Sequence, residues 1–239
     1  MALRGWIGGG VLAIMLVALS SPAAWPQNAA NAAAGREAFM RGDYAAARRI
    51  LEPLAESGNA KAQYWIGVMY AHGKGFPTVC RQAVRWYEKA ARQGNADAAF
   101  NAGFMLYHGW GTDKDECALP ADPERAAPWL KQAAEAGNPR AEFLVARMYA
   151  TGKGLAPSAD AAFDWMRKAA GSGLAEARYE LGLMYAEAGD RVDAWAWFAL
   201  LAEQGYPGAD MNKGRLAASM SEEQLAEAQA KADALRAPR

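Results

Sequence analysis

Asn59-Ala60-Lys61-Ala62-Gln63-Tyr64-Trp65-Ile66-Gly67-Val68-Met69-Tyr70-Ala71-His72-Gly73-Lys74-Gly75 decides the fold, because the chain writes this stretch again. Laid over the residues from Asn95, Ala60 meets Ala96, Ala62 meets Ala98, Tyr64 meets Phe100 and Gly67 meets Gly103. His72, Gly73 and Gly75 meet His108, Gly109 and Gly111. A third copy starts at Asn138 (Ala141, Phe143, Ala146, Tyr149, Gly152, Gly154) and a fourth at Leu174 (Ala175, Ala177, Tyr179, Gly182, Tyr185, Gly189). Such self-similarity marks an array of small supersecondary units that bury their apolar faces only by stacking.

Each copy has a second half. Ala83, Trp86, Ala90, Ala91 and Gly94 match Ala126, Trp129, Ala133, Ala134 and Gly137, and again Ala162, Trp165, Ala169, Ala170 and Gly173. The fourth copy keeps Ala194, Trp197, Ala202 and Gly205. The copies span 59–94, 95–137, 138–173 and 174–205; the second is seven residues longer than the first and the fourth four shorter, and the differences fall between the halves. Both halves read as helices. Ala62, Ile66, Gly67 and Tyr70 recur at three- and four-residue steps, as do Ala83, Trp86, Ala90 and Ala91. Gly94, Gly137, Gly173 and Gly205 stand where a left-handed residue ends the second helix. The small residue at Gly67, Gly103, Ala146 and Gly182 lets paired helices approach, and the row Trp86, Trp129, Trp165, Trp197 is expected to fill the space between neighbouring pairs.

The pattern A-x-A-x-x-x-L-G-x-x-Y-x-x-G-x-G, then A-x-x-W-x-x-K-A-A-x-x-G, resembles the Sel-one-like repeat (SLR) family, a relative of the tetratricopeptide repeat. Lys89-Ala90-Ala91 and Lys168-Ala169-Ala170 carry one element of it, and Tyr70-Ala71-His72-Gly73-Lys74-Gly75 and Tyr149-Ala150-Thr151-Gly152-Lys153-Gly154 the other. The resemblance implies an all-α fold, a right-handed α-α superhelix (solenoid) of tandem helix pairs, and a scaffold for protein complexes. Some cysteine-rich family members are associated with penicillin binding and weak β-lactamase activity, but they carry a cysteine pair in nearly every copy, whereas this chain has two cysteines in all. The chain departs from the pattern at Leu106, which replaces a tyrosine, at Ala188, which replaces a loop glycine, and at Pro128, expected to bend its helix without breaking it. Residues 34–58 read as a shortened tetratricopeptide-like helix pair. Residues 206–239 read as a terminal cap, in which Ser221-Glu222-Glu223-Gln224 forms a capping box before the stripe Leu225, Ala228, Ala232, Leu235.

Composition agrees with this reading. Alanine is about a quarter of the 239 residues and is the best helix former. With 26 basic and 26 acidic side chains the formal charge is zero, which speaks against nucleic acid as a partner. Before the repeats, Arg4, an apolar run from Trp6 to Leu19, and Ser20-Ser21-Pro22-Ala23-Ala24 read as a secretory signal over 1–24. Residues 25–33, Gln-, Asn- and Ala-rich, read as a flexible tether or a frayed helix start. The expected location is therefore periplasmic or secreted, with no membrane contact after cleavage of the signal.

Little in the chain carries chemistry. No nucleophile elbow, zinc-protease helix, phosphate loop or dinucleotide fingerprint occurs, so no catalytic residue, cofactor or metal is expected. His72 and His108 repeat in register without further ligands at metal-binding offsets, and read as histidines near helix ends. The acidic insertion Asp113-Lys114-Asp115-Glu116 lacks calcium-loop spacing. Cys80 and Cys117 lie in matching loops and are expected to pair in an oxidising compartment, the alternative being two free thiols.

What remains is the surface the repeats build. If the first helices line a concave wall, as in tetratricopeptide arrays, the side chains off the packing stripe face a partner. These are Lys61, Tyr64, Val68 and His72; Asp97, Phe100, Phe104 and His108; Arg140, Phe143 and Arg147; and Glu176, Tyr179 and Leu183. Aromatics beside arginine are the usual composition of binding hot spots, although Phe100 and Phe143 could equally be packing between repeats. The expected function is an exported scaffold binding a protein or peptide on this face, in a cell-envelope complex. The alternative is a cell-wall-fragment or β-lactam-binding protein or weak hydrolase.

Overall fold

A computed structural model of the chain describes residues 24–111 and 117–236. The signal reading of 1–23 and the acidic residues 112–116 lie outside the described residues, as do 237–239. The described part is a run of helices: α1 (Ala24–Met40), α2 (Tyr44–Glu56), α3 (Ala60–His72), α4 (Cys80–Ala91), α5 (Ala96–His108), α6 (Pro123–Glu135), α7 (Pro139–Thr151), α8 (Ala159–Gly171), α9 (Ala175–Glu187), α10 (Arg191–Glu203), α11 (Ala209–Ala217) and α12 (Glu222–Arg236). From α1 to α11 each helix packs on its neighbours in sequence; α12 packs back on α10, and α1 also touches α3. That nearest-neighbour stacking makes the chain an α-solenoid.

The asparagine that begins each of the first three copies is a helix cap. Asn59, Asn95 and Asn138 accept from the backbone N–H groups of Ala62, Ala98 and Ala141 at 2.9, 2.8 and 3.1 Å. Such a cap is worth about 1 kcal/mol. Leu174 stands at the fourth start, and α9 has no side-chain cap there. The second helices are capped by Asp122, Ser158 and Asp190, while Val79 before α4 makes no such bond. Gly94, Gly137, Gly173 and Gly205 take positive φ of 70–94° after the second helices, as their place in the repeat requires. Pro128 lies inside a continuous α6. The predicted box at the start of α12 forms: Gln224 N–H donates to Ser221 Oγ and Ser221 N–H to Gln224 Oε1.

Of the two readings of residues 25–33, the helix start holds and the flexible tether does not: they are the first turns of α1. Alanine-rich sequence favours the helix, and Ala32 and Ala38 are buried on it. The place opposite Gly67, Gly103 and Gly182 belongs to the residue after each tryptophan. A Cβ on Gly67 would meet the ring of Tyr87, one on Gly103 would meet Leu130, and one on Gly182 would meet Phe198. Trp86, Trp129 and Trp165 pack at the rim of the core, with Lys89, Arg92 and Lys168 over their faces at 4.0, 5.7 and 3.9 Å from the ring centroids. The row looks equivalent in sequence because Trp and its successor are adjacent on the helix. The lysine three residues on covers the outer ring of Trp86 and Trp165, and Arg92 covers that of Trp129, so a rim position satisfies both. Trp197 is the buried exception.

Candidate functional site

The close approaches at Gly67 and Gly103 seat α3 on α4 and α5 on α6, and side chains of α3, α5 and α7 line a common recess. Lys61, Asp97, Arg140 and Glu176 are exposed in the first turns of α3, α5, α7 and α9. One turn further in, Tyr64 is partly buried, its ring 5.3 Å from Trp65 and 5.9 Å from Tyr87. Burial pushes the Tyr64 hydroxyl above the usual phenol range, and the Asp97 carboxylate adds to this; the Asn101 side chain opposes it. Tyr87 beneath it is raised as well, again mainly by burial.

On α5 the aromatics form a continuous row. Phe100 lies 5.7 Å from Phe104, Phe104 lies 4.6 Å from the His108 ring and 6.5 Å from Trp110, and Tyr107 meets His108 edge-on at 4.9 Å. On α7 the Arg147 guanidinium sits 5.8 Å from the centroid of Phe143. Desolvation, then the positive charge of Arg147, hold His108 below the usual imidazole range. Between these helices opens a recess of about 230 Å³, lined by Ala71, His72, Tyr87, Phe100, Asn101, Phe104, Met105, Trp110 and Arg140. Two other hollows, of about 610 and 350 Å³, adjoin the loop after α5 and share Arg81, Leu119 and Pro120. Neither collects the aromatic rings that the smaller recess does.

The recess thus gathers His72, Phe100, Phe104 and Arg140 from the expected wall. Two other expected members do not belong to a free surface. Val68 is 8% exposed and packs in the core, because a short β-branched side chain on that face falls below the rings around it. Tyr179 is engaged by the C-terminal cap: its ring packs on Phe198 and Tyr206, and its hydroxyl accepts from Asn212 Nδ2 at 2.9 Å. Trp110, 42% exposed, is a wall residue that the repeat pattern misses. The signal for it lies in the alignment itself: Gly109-Trp110-Gly111 stands where other copies have Gly73-Lys74-Gly75 and Gly152-Lys153-Gly154.

Trp110 is held by an isolated antiparallel bridge to Leu119. Its N–H and carbonyl exchange hydrogen bonds with Leu119, both at 2.8 Å. Two residues before Leu119, Cys117 is disulfide-bonded to Cys80, the buried first residue of α4, with Cα atoms 4.6 Å apart. The bridge therefore fastens the Trp110 loop to the neighbouring repeat. Among the described residues no three His, Cys, Asp or Glu side chains gather as a metal site, and no helix is long and apolar enough to cross a membrane.

Comparison with known proteins follows the same boundaries. The Sel1 repeat profile matches residues 60–95, 96–138, 139–174 and 175–206. The chain is similar to a Sel1 repeat protein from Oxalobacter formigenes at 26% identity and a TM-score of 0.67, over 85% of this chain and 82% of that one. It is similar to c5321, a protective antigen of uropathogenic Escherichia coli with an SLR fold, at 30% identity and a TM-score of 0.63, over 80% of this chain. It spans only 40% of that antigen's length. No curated protein matches the sequence.

Proposed function

Because the chain belongs to the Sel1 repeat family, whose four copies here run from residue 60 to 206, we propose that it is a non-enzymatic scaffold, exported to the periplasm or beyond, that binds a protein or peptide on the wall of its first helices. Sel1 repeat proteins are generally interaction scaffolds, and this chain is built as one. One observation carries the reading: the recess between α3, α5 and α7, where the exposed Trp110 and the partly buried Phe100 and Phe104 gather beside Arg140. Aromatic rings with arginine in a concave site are the side chains that concentrate binding energy. A disulfide supports the oxidising compartment. The setting we propose is a cell-envelope complex.

Capture tests the reading. Mature protein with a photo-crosslinker near the recess should trap a discrete partner from envelope extract, and Phe104→Ala should abolish the adduct while leaving the circular-dichroism spectrum intact. An adduct that survives Phe104→Ala and Phe100→Ala together would remove the wall from the function.

A further inference from the structure

Resting on the wall as the binding surface, we propose that its occupant is an extended acidic segment of a separate protein, in which one large apolar side chain enters the recess and a neighbouring carboxylate lies on Arg140. The size of the recess points to a side chain. At about 230 Å³ it falls below the roughly 300–1,000 Å³ of pockets that enclose small molecules. Its floor is Met105, Tyr87 and the Phe100–Phe104 pair, so it rewards an aromatic or long aliphatic group. Its polar members, His72, Asn101 and Arg140, complete the lining. They offer hydrogen bonds and positive charge where the backbone of an extended guest would pass.

Charge selects the guest. Among the wall positions of α3, α5 and α7, Lys61, Arg140 and Arg147 are cationic and Asp97 alone is anionic. Among the described residues, neither Arg140 nor Arg147 forms an ion pair; Arg147 is instead spread over Phe143. The two arginines are seven residues apart on one helix face, about 10 Å along its axis. That spacing suits carboxylates three residues apart on an extended chain of polyproline II form, which rises about 3.1 Å per residue and returns to the same face every third residue. The wall changes sign at α9, where Glu176 takes the place that Arg140 holds on α7. An acidic guest is therefore drawn to the middle of the array and kept off its C-terminal end, which fixes position as well as affinity.

Selection from a displayed library of random linear peptides, on the mature oxidised protein, tests this. The expected outcome is a family of peptides with an aromatic or long aliphatic residue flanked by Asp or Glu. Their affinity should fall with added salt. It should fall at least tenfold for Arg140→Glu, an exposed charge reversal that leaves the fold alone, and similarly for Phe104→Ala. Lys-flanked versions of the same peptides should bind Arg140→Glu better than wild type. Basic or uncharged winners, or winners indifferent to Arg140→Glu, would overturn the acidic guest while sensitivity to Phe104→Ala keeps the wall. If no peptide is selected but the envelope adduct still depends on Phe104, the guest is a folded surface and this inference fails alone. Self-association lost in Phe104→Ala by light scattering would replace the guest with a second copy and also overturn it.

Discussion

The ring of Tyr87 occupies the space a side chain on Gly67 would need: a Cβ there would lie 2.7 Å from Tyr87 Cδ1. The relation recurs along the array. A Cβ on Gly103 would lie 2.7 Å from Leu130 Cγ and 3.0 Å from its backbone nitrogen, and one on Gly182 would lie 3.0 Å from Phe198. Helix propensity favours alanine over glycine by about 1 kcal/mol. Overpacking a filled core costs about 1–3 kcal/mol. Gly67→Ala and Gly103→Ala should therefore lose stability in denaturant melts, and Gly182→Ala should sit near neutral. Leu130→Ala, at a fully buried position, should cost about 2–5 kcal/mol. Trp129→Phe, at the rim beneath Arg92, should cost less.

Tyr179→Phe isolates the C-terminal cap. It removes the hydroxyl that accepts from Asn212, whose side chain is 4% exposed. An unpaired buried donor costs about 1–3 kcal/mol. Amides of α11 should then exchange faster in deuterated buffer, while those of α5 and α7 keep their protection and binding at the recess is unchanged. Equal loss of protection along the whole array would contradict a cap tied down at this one point.

Glu142 supplies a pH dependence. Burial raises its carboxyl above the usual range, and the Ser172 hydroxyl, donating at 3.3 Å, and the charge of Lys168 only partly offset this. The native state thus holds a proton more tightly than the unfolded chain, so stability falls as pH rises from the normal carboxyl range through the raised native value. Glu142→Gln removes that loss. It should melt higher than wild type at pH 7, and the advantage should vanish below about pH 4, where both states carry the proton. An advantage that persists in acid would assign the effect to packing.

Intact-mass analysis of the protein recovered from the envelope should give a chain beginning between about residues 21 and 25, lighter by two hydrogens than its dithiol. A chain starting at Met1 in the cytoplasm would refute export. Reduction should lower stability by about 2–4 kcal/mol. It should also make Trp110 fluorescence more quenchable by iodide, because the disulfide anchors the Cys117–Leu119 segment that pairs with this residue. Peptide affinity should drop in parallel.

Much of this architecture is legible in the sequence, since small residues, glycines and helical spacing recur in register. What is harder to read has definite causes. Periodicity tells which face a residue is on, but not how far its side chain reaches. Val68 and Phe104 occupy the same position in adjacent copies, yet the valine is covered and the phenylalanine lines the recess. Tyr179 looks like Tyr64 until the residues beyond the last copy, which share no pattern with the repeats, fold back on it through Tyr206 and Asn212. Trp110 escapes because the conserved-looking glycines on either side carry the alignment, and the informative residue is the one that breaks it.

Contacts that reach mainly to the next helix also govern how such a chain comes to be folded where it works. A polypeptide threaded through a translocation channel emerges extended, and it is exposed to proteases until its core closes. Among the described helices no distant segment has to arrive first: under the export proposed above, each helix pair can dock on its predecessor as it emerges, which is the fast, low-contact-order regime. The bond between Cys80 and Cys117 spans 37 residues, so its second thiol appears only when the rest of α4 and all of α5 have followed. Oxidation then acts as a latch closed behind the growing array rather than as a guide to its assembly.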